Sequence, residues 1–209
     1  MKDLQLIIAI GLFYISSNGQ DLTIPDYKGE KESLSKVKDK IIRREIASFT
    51  EAGSEEPKSN IELKKIPLIK FGTNYSTFGK DSILIKLTVG KFMKANHKIK
   101  YLGNYATKID NKPIWGTDGE LPKQQINSIY VKVGVDVIII PRTAYQDLYE
   151  PSLSWKESDK IIGNLRIFRS KDKNRIYIAM PNSDGAGFYE ATLIIMNGKY
   201  FGRVLDDGF

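Results

Sequence analysis

Asn197-Gly198, in "EATLIIMNGKYFGRV", lies between two runs in which apolar residues recur at every second place. A two-residue loop of this kind forms a type I′ turn, which needs positive φ at both central positions, and Asn-Gly meets that need. The stretch predicts a C-terminal β-hairpin with Met196 opposite Lys199, Ile195 opposite Tyr200, Ile194 opposite Phe201 and Thr192 opposite Arg203. In that register Ile194 and Phe201 share one face and Ile195 and Tyr200 the other, so both faces are partly covered near the turn. Glu190 and Arg203 are read as a cross-strand surface pair.

Strand signals extend back to Ile61. "IELKKIPLIKFG" contains Pro67, which cannot donate to a ladder and marks an edge or a bend. "DSILIKLTVGKFM" alternates cleanly, and "HKIKYLGNYATKI" less so. "NSIYVKVGVDVIIIP" alternates up to Val137 and then runs apolar to Ile140, a strand expected to end buried on both faces. "TAYQDLYEP" reads as a short helical turn, and "NLRIFRSKDKNRIYIAM" as two strands around the polar turn Ser170 to Asn174. Before them, Leu34, Val37, Ile41 and Phe49 recur near helical spacing, widened by Ile42 and Ile46, so an amphipathic helix is expected over Ser33 to Thr50. The expected fold class is α+β: one N-terminal amphipathic helix packed on a mainly antiparallel sheet of roughly six to eight strands, closed by the C-terminal hairpin.

The N-terminus bounds where such a fold operates. Leu4 to Ile15 is apolar except for Gln5 and Gly11, the length of a signal-peptide core and too short to span a bilayer. Ser17 and Gly19 stand at −3 and −1 of a cut before Gln20. The domains expected are therefore a signal peptide over 1–19 and a single α+β domain over 20–209, with 20–32 a loose polar leader. The protein is expected to be periplasmic or secreted and not membrane-spanning. It contains no cysteine. No disulfide staples the fold, and thiol nucleophiles and Cys-bound zinc are excluded.

The net charge is +7 and is unevenly spread. Lys86 to Lys112 carries seven lysines against the single Asp110. Such a segment fits an acidic protein or an anionic envelope surface, and export argues against nucleic acid. A merely solvated lysine-rich surface is the alternative. "NKPIWGTDGELP" sets Trp115 on a loop bounded by Pro and Gly, either as a lid over the core or as an exposed anchor for a partner.

Chemistry-bearing motifs are few. Ser183-Asp184-Gly185-Ala186-Gly187 has glycines but leads into a strand, whereas a phosphate loop leads into a helix. A tight turn is the better reading. His97 is the sole histidine and reads as a surface residue. Asp136 precedes the apolar run, where a low-dielectric setting would suit a general acid, but the still-exposed end of its strand is the better reading. No catalytic residue, metal ligand or cofactor is assigned.

In layout alone the chain resembles a toxin-immunity protein or an envelope enzyme inhibitor; the resemblance covers no motif. The expected function is an exported, non-enzymatic binding protein that neutralises an acidic protein partner through Lys91, Lys94, Lys98, Lys100 and Trp115. The alternative is a carbohydrate- or envelope-binding module, possibly a weak hydrolase using a carboxylate pair.

Overall fold

The computed structural model describes residues 32–52, 58–158 and 160–206. The expected signal peptide and nearly all of the leader lie outside them. A 3-10 turn (Leu34–Lys36) and helix α1 (Lys40–Ile46) come first. Strands β1 (Lys64–Ile66), β2 (Leu68–Gly72), β3 (Tyr75–Lys80) and β4 (Ile83–Lys91) follow. A small insertion holds β5 (Ile99–Leu102), β6 (Tyr105–Ile109) and β7 (Lys112–Pro113). Then come β8 (Gln124–Val133), β9 (Asp136–Ile138), β10 (Trp155–Glu157) and β11 (Lys160–Ile162). The chain closes with β12 (Arg166–Arg169), β13 (Arg175–Asn182), β14 (Tyr189–Met196) and β15 (Lys199–Asp206).

All strand pairs in these sheets are antiparallel, and helix is scarce. The strands do not form the single sheet expected. One five-stranded sheet runs β1-β12-β13-β14-β15 and a second runs β2-β3-β4-β8-β9. Strands β5-β6-β7 and β10-β11 make two small sheets. Many strongly twisted strands with apolar faces bury more by stacking as two layers than by extending one. Ile167, Ile178, Leu193 and Ile195 of the first sheet pack with Ile85, Leu87, Val89 and Val131 of the second. Pro67 lies between β1, an edge of the first sheet, and β2, an edge of the second. Its missing N–H falls where the chain changes layers.

The other face of the first sheet is covered by the N-terminal segment. Leu34, Ile42, Ile46 and Phe49 pack with Tyr177, Ala179, Ile194 and Val204. The helix is shorter than the expected 18-residue element because Asp39 starts it late. The Asp39 carboxylate accepts from the N–H groups of Ile41 (2.8 Å) and Ile42 (3.1 Å), which caps the first turn at Lys40. The extended backbone at Val37 and Asp39 separates the 3-10 turn from α1. That break shifts the phase of the stripe and leaves Ile41 in solvent.

Two further expectations change. Ile138 and Ile140 are buried, but Val137 and Ile139 are exposed, because one face is uncovered there and the alternation of β9 carries on past its end. In the terminal hairpin, Met196 faces Lys199 and Ile195 faces Tyr200 as expected. Beyond them a bulge displaces Phe201, so that Ile194 faces Gly202 and Thr192 faces Val204. The extra residue turns Arg203 to the face opposite Glu190. Glu190 is buried and meets Arg166 at 3.4 Å, while Arg203 meets Asp147 at 2.7 Å and Glu32 at 3.0 Å.

Asn197 and Gly198 hold φ of 51° and 74°. A Cβ on Gly198 would meet nothing within 4 Å, so only backbone strain opposes a side chain there. Gly198→Val is expected to destabilise the fold by about 1 kcal/mol. Chemical denaturation of the variant checks this, and an unchanged midpoint would mean that the turn is misassigned.

Candidate binding surfaces

The lysine-rich segment begins in β4, with Lys86 and Lys91, and continues as the β5-β6 hairpin and its base. Gly103, at φ 58°, makes the turn. Its base is pinned by His97, whose Nδ1 lies 2.7 Å from Asp110 Oδ2, and by the Lys98 N–H, which donates to Asp110 Oδ1 at 2.9 Å. The His97 ring stacks on Phe92 with centroids 4.7 Å apart, and Phe92 meets Tyr149 edge-on. His97 is therefore a brace and not a loose surface group. The His97 hydrogen bond, and then the Lys98 N–H, hold the Asp110 carboxyl below its usual range.

The hairpin presents apolar and aromatic groups to water. Met93, Tyr101, Leu102 and Tyr105 are all exposed, Tyr105 at 64%. Lys91, Lys94, Lys98 and Lys100 are exposed around them. None of the four lysines takes part in an ion pair among the described residues. Lys94 Nζ lies 5.8 Å from the Tyr101 ring centroid. Of the five residues predicted from sequence, the four lysines are exposed and the fifth is not. Trp115 is only 3% exposed and packs in the main core beside Tyr189. Its carbonyl accepts from the Tyr149 N–H at 3.0 Å, which ties its backbone to that strand-like segment. Of the two readings of that loop, the core lid holds. Tyr101 and Tyr105 occupy the exposed aromatic role. Their alternation in a strand gave no sign that their sheet stands apart from the main core.

A second surface is a cleft of about 840 Å³ between three segments: Gly116 to Gln124, Glu150 to Ser152, and Ser183 to Gly187. Ser183-Asp184-Gly185-Ala186-Gly187 is indeed a turn, with a 3-10 segment over Gly185–Gly187. It is also a wall. Ser183 Oγ donates to the Gly116 carbonyl at 2.9 Å, and the Ser183 N–H donates to the Glu150 carbonyl at 3.2 Å. The Glu150 carboxylate accepts from the N–H groups of Lys123 and Gln124. Gly116 adopts φ 104°, and a Cβ there would come within 2.4 Å of the Tyr149 carbonyl oxygen. These contacts brace the loops against one another.

The cleft carries Asp118, Glu120, Glu150 and Asp184 against Lys123, and the indole of Trp155, 44% exposed, borders it. Its walls come from segments far apart in sequence, and only the turn-forming pairs Asp118-Gly119 and Asp184-Gly185 signalled them. Among the described residues no three Asp, Glu or His side chains converge closely enough to hold a metal ion. Asp136 stands exposed at the start of β9, in keeping with its reading as the exposed end of a strand. Burial raises the Tyr149 and Tyr189 phenols, and Tyr189 Oη donates to the Tyr149 carbonyl at 2.7 Å.

No protein-family model, curated protein or solved structure matches the chain. No helix among the described residues is long and apolar enough to cross a membrane.

Because the folded value of Asp110 is depressed, its contribution to the hairpin base is present above the ordinary carboxylate range and is lost as pH falls through the lower folded value. In an NMR titration the Asp110 carboxyl should protonate below the ordinary aspartate range. Asp110→Asn should speed amide exchange across β5 and β6 at neutral pH and leave β13 unchanged. An ordinary midpoint would show that the His97 pair does not form in solution.

Proposed function

We propose that this is an exported, periplasmic or secreted, non-enzymatic binding protein that neutralises a protein partner, of the toxin-immunity or inhibitor kind, by docking its β5-β6 hairpin on an acidic surface. One observation carries the reading: Tyr101 and Tyr105 are exposed on a hairpin from a lysine-rich segment, Lys94 lies near the Tyr101 ring, and the segment's one carboxylate, Asp110, is committed to His97 and Lys98. Tyrosine is favoured as an interface anchor because it buries a large apolar ring and keeps a polar tip. Lysines at the rim steer an acidic partner and speed encounter. The braced base supports this role, since a hairpin that is ordered before binding loses less entropy on docking.

A second reading has its own observation. Trp155 borders a polar cleft whose loops are held rigid, an arrangement suited to stacking a neutral sugar ring while carboxylates and amides accept from its hydroxyls. In that reading the protein is a carbohydrate-binding module of the envelope.

Capture from the envelope fraction of the native host identifies the partner, and binding kinetics then discriminate. Reversing Lys91, Lys94 and Lys98 to Glu should slow association and flatten its dependence on salt. Tyr105→Ala should instead speed dissociation roughly thirtyfold, the equivalent of about 2 kcal/mol at an anchor. Trp115→Ala should lower thermal stability without a specific effect on dissociation. Kinetics indifferent to both the lysine and tyrosine changes would remove the reading. Binding of a neutral glycan, abolished by Trp155→Ala, would transfer the activity to the cleft.

A further inference from the structure

The outer face of the second sheet is a distinct surface, separate from both sites above. Register places its outward side chains in rows. Gly79, Leu84, Lys132 and Val137 form one row. Lys70, Thr77, Lys86 and Tyr130 form the next, and Ile139 continues the outward parity of Val137 beyond the ladder. Val135, on the β8-β9 turn, is 88% exposed and Ile139 is 81% exposed. Ile69 is also exposed and lies over Gly79. No carboxylate stands at an outward position in these rows. Lys70, Lys86 and Lys132 have no ion-pair partner among the described residues, although Lys86 Nζ sits 5.2 Å from the Tyr75 ring centroid.

We infer that this face docks on an anionic lipid surface, with Val135, Val137 and Ile139 entering the headgroup layer and Lys86 and Lys132 pairing with lipid phosphates. Two features select lipid over protein. The most exposed apolar groups are aliphatic side chains at a turn and an edge strand, whereas protein hot spots favour Trp, Tyr and Arg and under-represent Val and Leu. Lysine, depleted at the centre of protein interfaces, here lies in the middle of the face, in line with Leu84, Tyr130 and Val137. A fluid anionic interface accepts both: aliphatic groups gain from leaving water, and basic groups near the surface gain from its negative potential. An edge strand with outward aliphatic groups would otherwise invite aggregation, and a lipid surface covers it without the need for a matching strand.

The absence of cysteine gives a site-specific test in the full chain. A nitrobenzoxadiazole label on Val135→Cys should brighten and shift to the blue with vesicles of phosphatidylcholine containing phosphatidylglycerol, and stay in water with phosphatidylcholine alone. The same label on Phe201→Cys, an exposed position in the first sheet, should stay in water with both. Reversing Lys86 and Lys132 to Glu should weaken the partition of the Val135 label about tenfold or more, since each basic residue near the surface contributes about 1 kcal/mol. Both changed lysines and Val135 sit outside the core, and melting curves check that each variant folds. A Val135 label that stays in water while the chain sediments with anionic vesicles would overturn the inference, because another segment would then be the anchor. So would equal partition into both kinds of vesicle, or occupation of this face by an acidic protein and not by lipid.

Discussion

Strands β13 and β14 are apolar on both faces, and everything else in the structure answers to that. Seven of the eight residues of each are buried. The second sheet covers one face with a full layer. The other is left to a 3-10 turn, a seven-residue helix and the coil around them, too little chain to be held by apolar contact alone. Charge supplies the rest. Arg175 donates to Glu45 at 2.8 and 3.0 Å while Tyr177 donates to the same carboxylate. Glu190 accepts from the Thr50 hydroxyl and from the N–H groups of Glu51 and Ala52. Glu32 is held by Arg203. Each network joins the N-terminal segment to the sheet or its neighbours. The hydrogen bond to Glu45 keeps Arg175 firmly charged despite its burial. Such pairs fix position more than they add net stability, because desolvation offsets much of their attraction.

The same arrangement explains what could be read from the sequence. Turns are local, so Asn197-Gly198 and the Ser170 to Asn174 turn between β12 and β13 were legible, as was the alternation of β4 and β8. The apolar stripe of the N-terminal segment was legible in Leu34, Ile42, Ile46 and Phe49, but not the exposure of Ile41. The division into two sheets was not, because alternation reports which side of a strand is wet and not which layer lies against it. The bulge at Phe201 was invisible for a related reason: apolar residues flank it on both faces, and only the register shows that it moves Arg203 to the face opposite Glu190. Trp115 and Trp155 are chemically alike, and only tertiary packing sends one into the core and the other to the rim of a cleft.

Surface charge follows the layering. The β5-β6 hairpin stands on its own small cluster of Phe92, Ala106, Ile109, Ile114 and Tyr149. Its side chains are thus not required by the main core and are free to serve contact. The cleft, by contrast, is built on loops that lead into β8 of the second sheet and β14 of the first, so its acidic groups are displayed on loops joined by hydrogen bonds. A basic hairpin and an acidic cleft meet at Gly119, whose carbonyl accepts from the Ala106 N–H at 2.7 Å. The adjoining patches of opposite sign give the surface a local dipole that would orient an approaching charged partner.

Pro67 carries a consequence for the order of assembly. The strand before it pairs late, since Lys65 waits for Phe168, while the strand after it pairs at once with β3. Contacts between sequence neighbours close small loops and form early, and distant ones bear a larger entropy of closure. The second sheet can therefore gather β2, β3 and β4 while the docking site for α1 has yet to be synthesised. Leu34, Ile42, Ile46 and Phe49 find their partners on β13, β14 and β15, made much later. Among the described residues, the first apolar face to be synthesised is thus among the last to be covered, and it must be kept from other chains throughout that interval.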